Sequence, residues 1–233
     1  MKLQILQKIF DHFDDWSQQF PVACCKGCAV CCTQNVTMTT AEGTLLFNFI
    51  KENKKESWLS EKLEVLPDTK VQQTTNEFAK ACLNGEETEI AEGTFDAVCP
   101  FLENNLCTVY PARPFACRCF ASTITCSQGQ SALLPTSHLS AATTLSQIIE
   151  HLDQFNPWGN MLHILYLLAD ESEALHLRST HDRSAVRDSC LTAQPLPGFL
   201  IGEEEAGIVV PLIETIFQTV VKGRTIEDIL NNR

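Results

Sequence analysis

Four cysteines fall within eight residues, Cys25-Lys-Gly-Cys28-Ala-Val-Cys31-Cys32, as a C-x2-C-x2-C-C string. Thiolates held this close repel one another unless a cation or a cluster shares their charge, so the string reads as half of a metal site. A second group follows at Cys99, Cys107, Cys117, Cys119 and Cys126. With Cys24 included, ten of the twelve cysteines lie in two short windows. Cys82 and Cys190 stand apart, and Cys82 reads as a small buried residue in the last turn of a helix.

Thiolate-only donors accept either of two soft partners. Zinc would take four in a closed tetrahedron and serve a structural role. An iron–sulfur cluster is the preferred reading. Cys25, Cys28 and Cys31 repeat the C-x2-C-x2-C run of bacterial ferredoxins, and Cys99-Pro100 offers from a distance the Cys-Pro pair that usually completes it. A disulfide framework fits less well. Residues 1–20 lack the uninterrupted apolar core of a signal peptide, with Asp11, Asp14 and Asp15 breaking it, and the adjacent pairs Cys24-Cys25 and Cys31-Cys32 would close strained rings. The expected compartment is reducing and cytoplasmic.

The formal net charge of −12 and a pI near 4.9 oppose nucleic acid and anionic membranes as partners. Lys51, Lys54 and Lys55 are interleaved with Glu52 and Glu56, which is the pattern of a solvated helix face. No membrane span is expected, because the apolar run from Met161 to Ala169 is far shorter than the ~20 residues a spanning helix needs.

The elements around the cysteines read as helices. Leu3, Leu6, Ile9, Phe10, Phe13, Trp16 and Phe20 recur at three- and four-residue intervals, giving an amphipathic helix that leads through Pro21 into the string. The string itself reads as a tight loop around Gly27. Thr39-x-x-Glu42 opens a second helix as a capping box, Trp58 to Leu66 forms a third, and Asp68 caps a fourth that runs to Leu83. Residues 85–97 form an acidic connection. Cys99-Pro-Phe-Leu and Leu106-Cys-Thr-Val-Tyr110, separated by Glu103-Asn-Asn105, then make a small hairpin with asparagine in its turn, bringing Cys99 and Cys107 close, and Phe115 to Phe120 presents Cys117 and Cys119. Helices follow at 138–155, from Asn156-Pro157 through Leu168, and at 203–221. Residues 179–197 read as a polar, turn-rich connection, and a short helix opens at Thr225 with Asp228.

The two clusters together resemble the bacterial family of zinc- or iron-chelating CxxCxxCC proteins, also called YkgJ-like cysteine-cluster proteins. The resemblance is carried by Cys25-x2-Cys28-x2-Cys31-Cys32, Cys99-Pro-Phe-Leu102, Cys107-Thr-Val-Tyr-Pro-Ala-Arg-Pro114 and Cys117-Arg-Cys-Phe120, and it covers roughly residues 20–125. It implies that Cys25, Cys28, Cys31, Cys32, Cys99, Cys107 and Cys117 are metal ligands. A single ion or cubane needs only four, so three are spare, two centres share the set, or some cysteines resolve redox events. Ala29 stands where the family often has glycine, and Cys24 and Cys119 are additional. Flagellin lysine N-methylases look like distant relatives, which adds a protein-modifying enzyme to the alternatives.

Arg113 and Arg118 lie inside the motif. They are candidates for holding the cofactor by donating N–H groups to thiolate, sulfide or an anionic substrate, with an ion pair to a carboxylate as the alternative. Tyr110 reads as packed, with its hydroxyl hydrogen-bonded. His138, His151 and His163, and the pair His176 and His181, show no ligand spacing and read as structural or exposed. The expected fold is mainly α, with a small irregular cysteine-rich core containing a short β-hairpin. Residues 1–130 form the metal-binding domain with its surrounding helices, and residues 131–233 form a helical region packed on it as one unit. The expected function is cysteine-ligated metal binding, iron–sulfur with a redox or electron-transfer role and a redox or other protein partner. A zinc-stabilised module, using the C-terminal helices to contact a partner, is the alternative.

Overall fold

A computed structural model of the chain describes residues 1–87, 97–126, 132–172, 177 and 181–231. Most of the acidic connection expected over 85–97 and the histidine at 176 lie outside the described residues. The architecture is mainly α, with the cysteine segments held as irregular chain and a small hairpin at one edge of the helical body.

The N-terminal half supplies α1 (Lys2–Ser17), β1 (Thr37–Thr39), α2 (Thr40–Glu52), α3 (Glu56–Lys62) and α4 (Thr75–Leu83), followed by the hairpin strands β2 (Leu102–Glu103) and β3 (Leu106–Cys107) and by α5 (Phe115–Cys119). The remainder supplies α6 (Thr136–Leu152), β4 (Pro157–Asn160), α7 (Met161–Asp170), α8 (Arg183–Asp188), β5 (Leu191–Thr192), α9 (Glu203–Gln218), β6 (Val220–Val221), β7 (Arg224–Thr225) and α10 (Ile226–Leu230).

Periodicity explains the long helices. The apolar face of α1 buries Ile5, Leu6, Ile9, Phe10 and Phe13, each removal from water contributing roughly 2 kcal/mol. That face joins α6, α9 and α10 in one hydrophobic cluster, where it meets Leu145, Ile148, Leu212 and Ile216. A second cluster forms around α2, α3 and α7, with Leu46, Ile50, Leu59, Leu162 and Leu165 at its centre. Gly43 lets α2 approach α7 closely, since a Cβ there would stand 2.7 Å from Ile164 Cγ2.

Local caps fix several starts. Thr39 and Glu42 form the expected capping box at α2, and Thr225 accepts from the Asp228 N–H at α10. Three expectations are corrected. The polar connection read over 179–197 holds α8, whose start Asp182 caps by accepting the Ser184 N–H, and β5. The helix placed after Asp68 begins at Thr75, because Thr74 and Glu77 make a reciprocal capping box that satisfies two backbone donors where Asp68 could satisfy one. The helix expected from Asn156-Pro157 begins at Met161. Residues 157–160 instead form β4, which pairs antiparallel with β1 (Met38 opposite Gly159) and with β5 (Trp158 opposite Leu191). The ladder hydrogen bonds gained on both edges outweigh one more helical turn.

Asn160 connects this sheet to the cysteine string. Its Oδ1 accepts the Leu162 N–H at 2.9 Å, capping α7, while its Nδ2 donates to the Gln34 carbonyl at 2.7 Å. Asn160→Ala removes a buried cap and leaves that carbonyl unpaired. The expected loss is about 2 kcal/mol, read as a lowered urea midpoint with unchanged m-value.

Candidate metal centre

Two turns shape the cysteine string. The Cys28 N–H donates to the Cys25 carbonyl at 3.0 Å, and the Cys32 N–H to the Ala29 carbonyl at 3.1 Å. Gly27, at φ +91°, occupies the left-handed region that a side chain would strain. The string is therefore the expected loop.

Two splices tie it to the second cysteine group. At its end, the Cys99 N–H donates to the Cys32 carbonyl at 3.0 Å and the Gln34 N–H to the Ala97 carbonyl at 2.8 Å, with Thr33 opposite Val98 in an antiparallel bridge. At its start, the Ala23 N–H donates to the Ser122 carbonyl at 2.8 Å. The expected hairpin follows Cys99. Asn104 and Asn105, at φ 52° and 61°, form its two-residue turn, and Leu102 pairs with Cys107. The Trp58 indole N–H fixes the hairpin to α3 through Glu103 Oε1 at 2.7 Å.

Cys117 rides on α5, which aromatic packing docks against α1. Phe115 lies edge-on to Phe13 at 4.9 Å and stacks on Phe10 at 6.1 Å. The Phe115 N–H donates to Glu42 Oε1 at 2.8 Å, so the buried carboxylate that caps α2 also anchors the start of α5.

The thiols occupy two neighbourhoods. Cys32, Cys99, Cys107 and Cys117 form an inner one: the last three act on Cys32 by like-charge repulsion, and Cys99 and Cys107 act on Cys117. All four are half-buried. Burial, then the thiols of Cys99, Cys107 and Cys119, push Cys117 up to about 12, and burial followed by Cys107 raises Cys99. Cys24, Cys28, Cys31 and Cys126 form an outer neighbourhood nearer solvent. The boundary runs between Cys31 and Cys32. There the Cys31 thiol donates to the Cys32 sulfur, which raises Cys31 and lowers Cys32. Cys25 is exposed, and its carbonyl closes the first turn.

The donor chemistry suits a soft metal or cluster, since each neighbourhood is made of thiols alone. Among the described residues, no three His, Cys, Asp or Glu side chains stand where one ion could be held. The fold thus gathers the thiols into neighbourhoods without bringing any three of the described ones round a single point.

The two arginines differ in placement. Arg113 lies over the Tyr110 ring, 3.9 Å from its centroid, with a buried Nε that has no hydrogen-bond partner, and its charge favours the thiolates of Cys117 and Cys119. Arg118 is engaged elsewhere: it pairs with Asp14 at 2.7 Å and donates to the Arg113 and Pro111 carbonyls. Tyr110 departs from expectation. It is 60% exposed, because the guanidinium of Arg113 covers one ring face in place of a hydrophobic neighbour.

The described histidines serve the helices. His163 contacts the Pro67 carbonyl, His151 the Leu230 carbonyl, and His181 the Leu63 carbonyl; His138 packs among Phe13, Trp16 and Phe20. Cys190 is buried far along the chain, its thiol pushed up to about 11 by burial. Cys24 and Cys126, which the motif leaves out, stand beside motif cysteines. The sequence signal for Cys24 was its contact with the string, whereas Cys126 follows Cys119 at no recognised spacing.

No helix among the described residues is long and apolar enough to cross a membrane. No curated protein and no solved structure matches the chain. Residues 24–135, just under half of the chain, match the model of the CxxCxxCC family, described as a putative zinc- or iron-chelating domain, which supports a cysteine-based metal-binding role for that stretch.

Proposed function

We propose that the inner thiols, Cys32, Cys99, Cys107 and Cys117, hold an iron–sulfur cluster with a redox or electron-transfer role in a reducing, cytoplasmic setting. The observation that carries this reading is the grouping of four half-buried thiols, drawn from both cysteine windows, beside the Arg113 guanidinium. When bound, such a cluster supplies one-electron redox chemistry. Arg113 screens the negative charge that four thiolates bring together, and its unpartnered Nε is a donor available to sulfur. Cys32 is already biased toward the thiolate by the Cys31 hydrogen bond. The half-buried position limits solvent access while keeping the donors near the surface.

A protein partner accords with the apolar side chains that the same segments expose. Val98, Leu106, Tyr110 and Phe120 all project from stretches that carry the inner cysteines.

Purification without air, followed by iron and labile-sulfide assays and visible absorption, tests the assignment. The expected result is iron with matching sulfide and a broad charge-transfer band that bleaches on reduction. Stoichiometric zinc with neither iron nor sulfide would overturn the redox role and leave a zinc-stabilised module.

A further inference from the structure

Two imidazoles beside α7 take no part in the cysteine neighbourhoods. His163, on α7, is 3% exposed, and its Nε2 meets the Pro67 carbonyl at 2.9 Å. His181, just before α8, sets its Nε2 against the Leu63 carbonyl at 3.2 Å. A carbonyl oxygen only accepts, so both rings carry their proton on Nε2. Nδ1 is then the nitrogen left to take up a further proton. In His163 that atom is buried and has no hydrogen-bond partner.

Both carbonyls belong to one segment. Residues 63–74 connect α3 to α4 without a helix or strand, and the two rings grip its first five residues. His181 is itself fixed to α7. Its N–H donates to the Tyr166 hydroxyl at 2.9 Å, that hydroxyl donates to the His181 carbonyl at 2.9 Å, and the two rings meet edge-on at 5.2 Å. Leu63 and Leu66, on the gripped stretch, pack in the cluster around α7.

We propose that His163 and His181 form an acid-sensitive latch, which holds the start of the α3–α4 connection against α7 at neutral pH and releases it when His163 is protonated. The proton goes to Nδ1, where the closed latch offers no acceptor. A buried cation without an acceptor is strongly disfavoured, whereas a released ring reaches water. His181 and Asp68 are the ionisable groups that act on His163. The first opposes a positive charge there; the second favours one, but stands exposed on the connection, as does Glu64. Charges on the neighbouring elements are turned to other partners: Arg183 to Asp170 and Glu171, Arg187 to the Cys190 carbonyl, Asp182 to the Ser184 N–H, and Lys51 to the Phe47 ring. Burial lowers His163 from the ordinary histidine range, against the Pro67 carbonyl and Asp68. The released and unfolded states therefore bind the proton more tightly. The latch is at full strength above the ordinary histidine range and weakens as pH falls through that range toward the lowered value. Release would uncover the apolar surface of α7 that Leu63 and Leu66 cover. The latch goes beyond the metal-centre reading and is independent of it.

The test is NMR of the full-length chain from about pH 7.5 to about pH 4.5, following the His163 ring nitrogens and the backbone order parameters of residues 64–68. At the upper pH the ring should show the Nε2–H tautomer and the order parameters should be about 0.85. As the ring takes up its second proton, those order parameters should fall below about 0.6 while the residues of α1 keep their native shifts. His163→Gln gives the Pro67 carbonyl a side-chain N–H that does not titrate, so its connection should stay ordered throughout. The wild-type measurement stands without the variant. An Nδ1–H tautomer at the upper pH overturns the latch, as does a connection that stays ordered after the ring has titrated. So does loosening that is equal in His163→Gln, or that comes only together with loss of the α1 shifts.

Discussion

Cys117→Ser is expected to lose the inner metal, lowering affinity by roughly two to three orders of magnitude. Structural four-ligand sites are worth about 10–16 kcal/mol in total, so each thiolate carries about 2.5–4 kcal/mol. A serine oxygen is a harder and shorter donor, and Cys117 is held in place by α5, whose start is pinned by Glu42 and whose aromatic face is pinned by Phe10 and Phe13. Chain movement therefore cannot easily compensate. Metal content after gel filtration, with competition against a chromophoric chelator, reads the effect. Cys190→Ser is the control, because Cys190 packs within the cluster around α7 and should keep its full metal complement. Equal loss in both variants would place the centre elsewhere.

Glu42→Ala is expected to destabilise the fold by about 4 kcal/mol. One carboxylate accepts three buried donors, the Thr39 N–H at 2.8 Å, the Thr39 hydroxyl at 2.9 Å and the Phe115 N–H at 2.8 Å. Each donor left unpaired costs about 1–3 kcal/mol, partly recovered by relaxation. For a chain of this size the loss corresponds to a Tm lower by roughly 10 °C. Glu42→Gln should fall between, because one amide face presents donors to donors. Burial holds the Glu42 carboxyl above its ordinary range, so the folded state binds that proton more tightly than the unfolded chain does. The contribution of this group to stability thus falls as pH rises from the ordinary glutamate range through the raised value. Glu42→Gln should remove that slope, and a Glu42→Ala Tm within 2 °C of wild type would refute the anchoring role.

Much of this was legible in the residues. The alternation along α1, the Thr39-Glu42 and Thr225-Asp228 caps and the Asn104-Asn105 turn are local signals, and each forms as read. The sheet was not legible. Pro157 to Asn160 carries a helix-start pattern, and only the free edges of Thr37–Thr39 and Leu191–Thr192, distant in sequence, make it a strand. Asp68 and Thr74 are both acceptable caps, and the reciprocal Thr74–Glu77 pair prevails on hydrogen bonds satisfied. For the site, spacing identified which cysteines belong together as a motif. How they group in space depends on the Cys99–Cys32 and Ala23–Ser122 splices, which join residues far apart in the chain and have no sequence signature.

The splice between Cys32 and Cys99 also bears on how metal is acquired. Sixty-seven residues separate these two positions (99 minus 32), and closing a flexible loop of that length costs about 4 kcal/mol in chain entropy. In a metallopeptide that is unfolded without its ion, binding must offset that cost. Here the Cys99–Cys32 backbone hydrogen bond joins the ends of that loop, and two hydrophobic clusters of helices surround the cysteine segments. A loop whose ends the fold already joins would spare a bound metal that cost, about 700-fold in affinity.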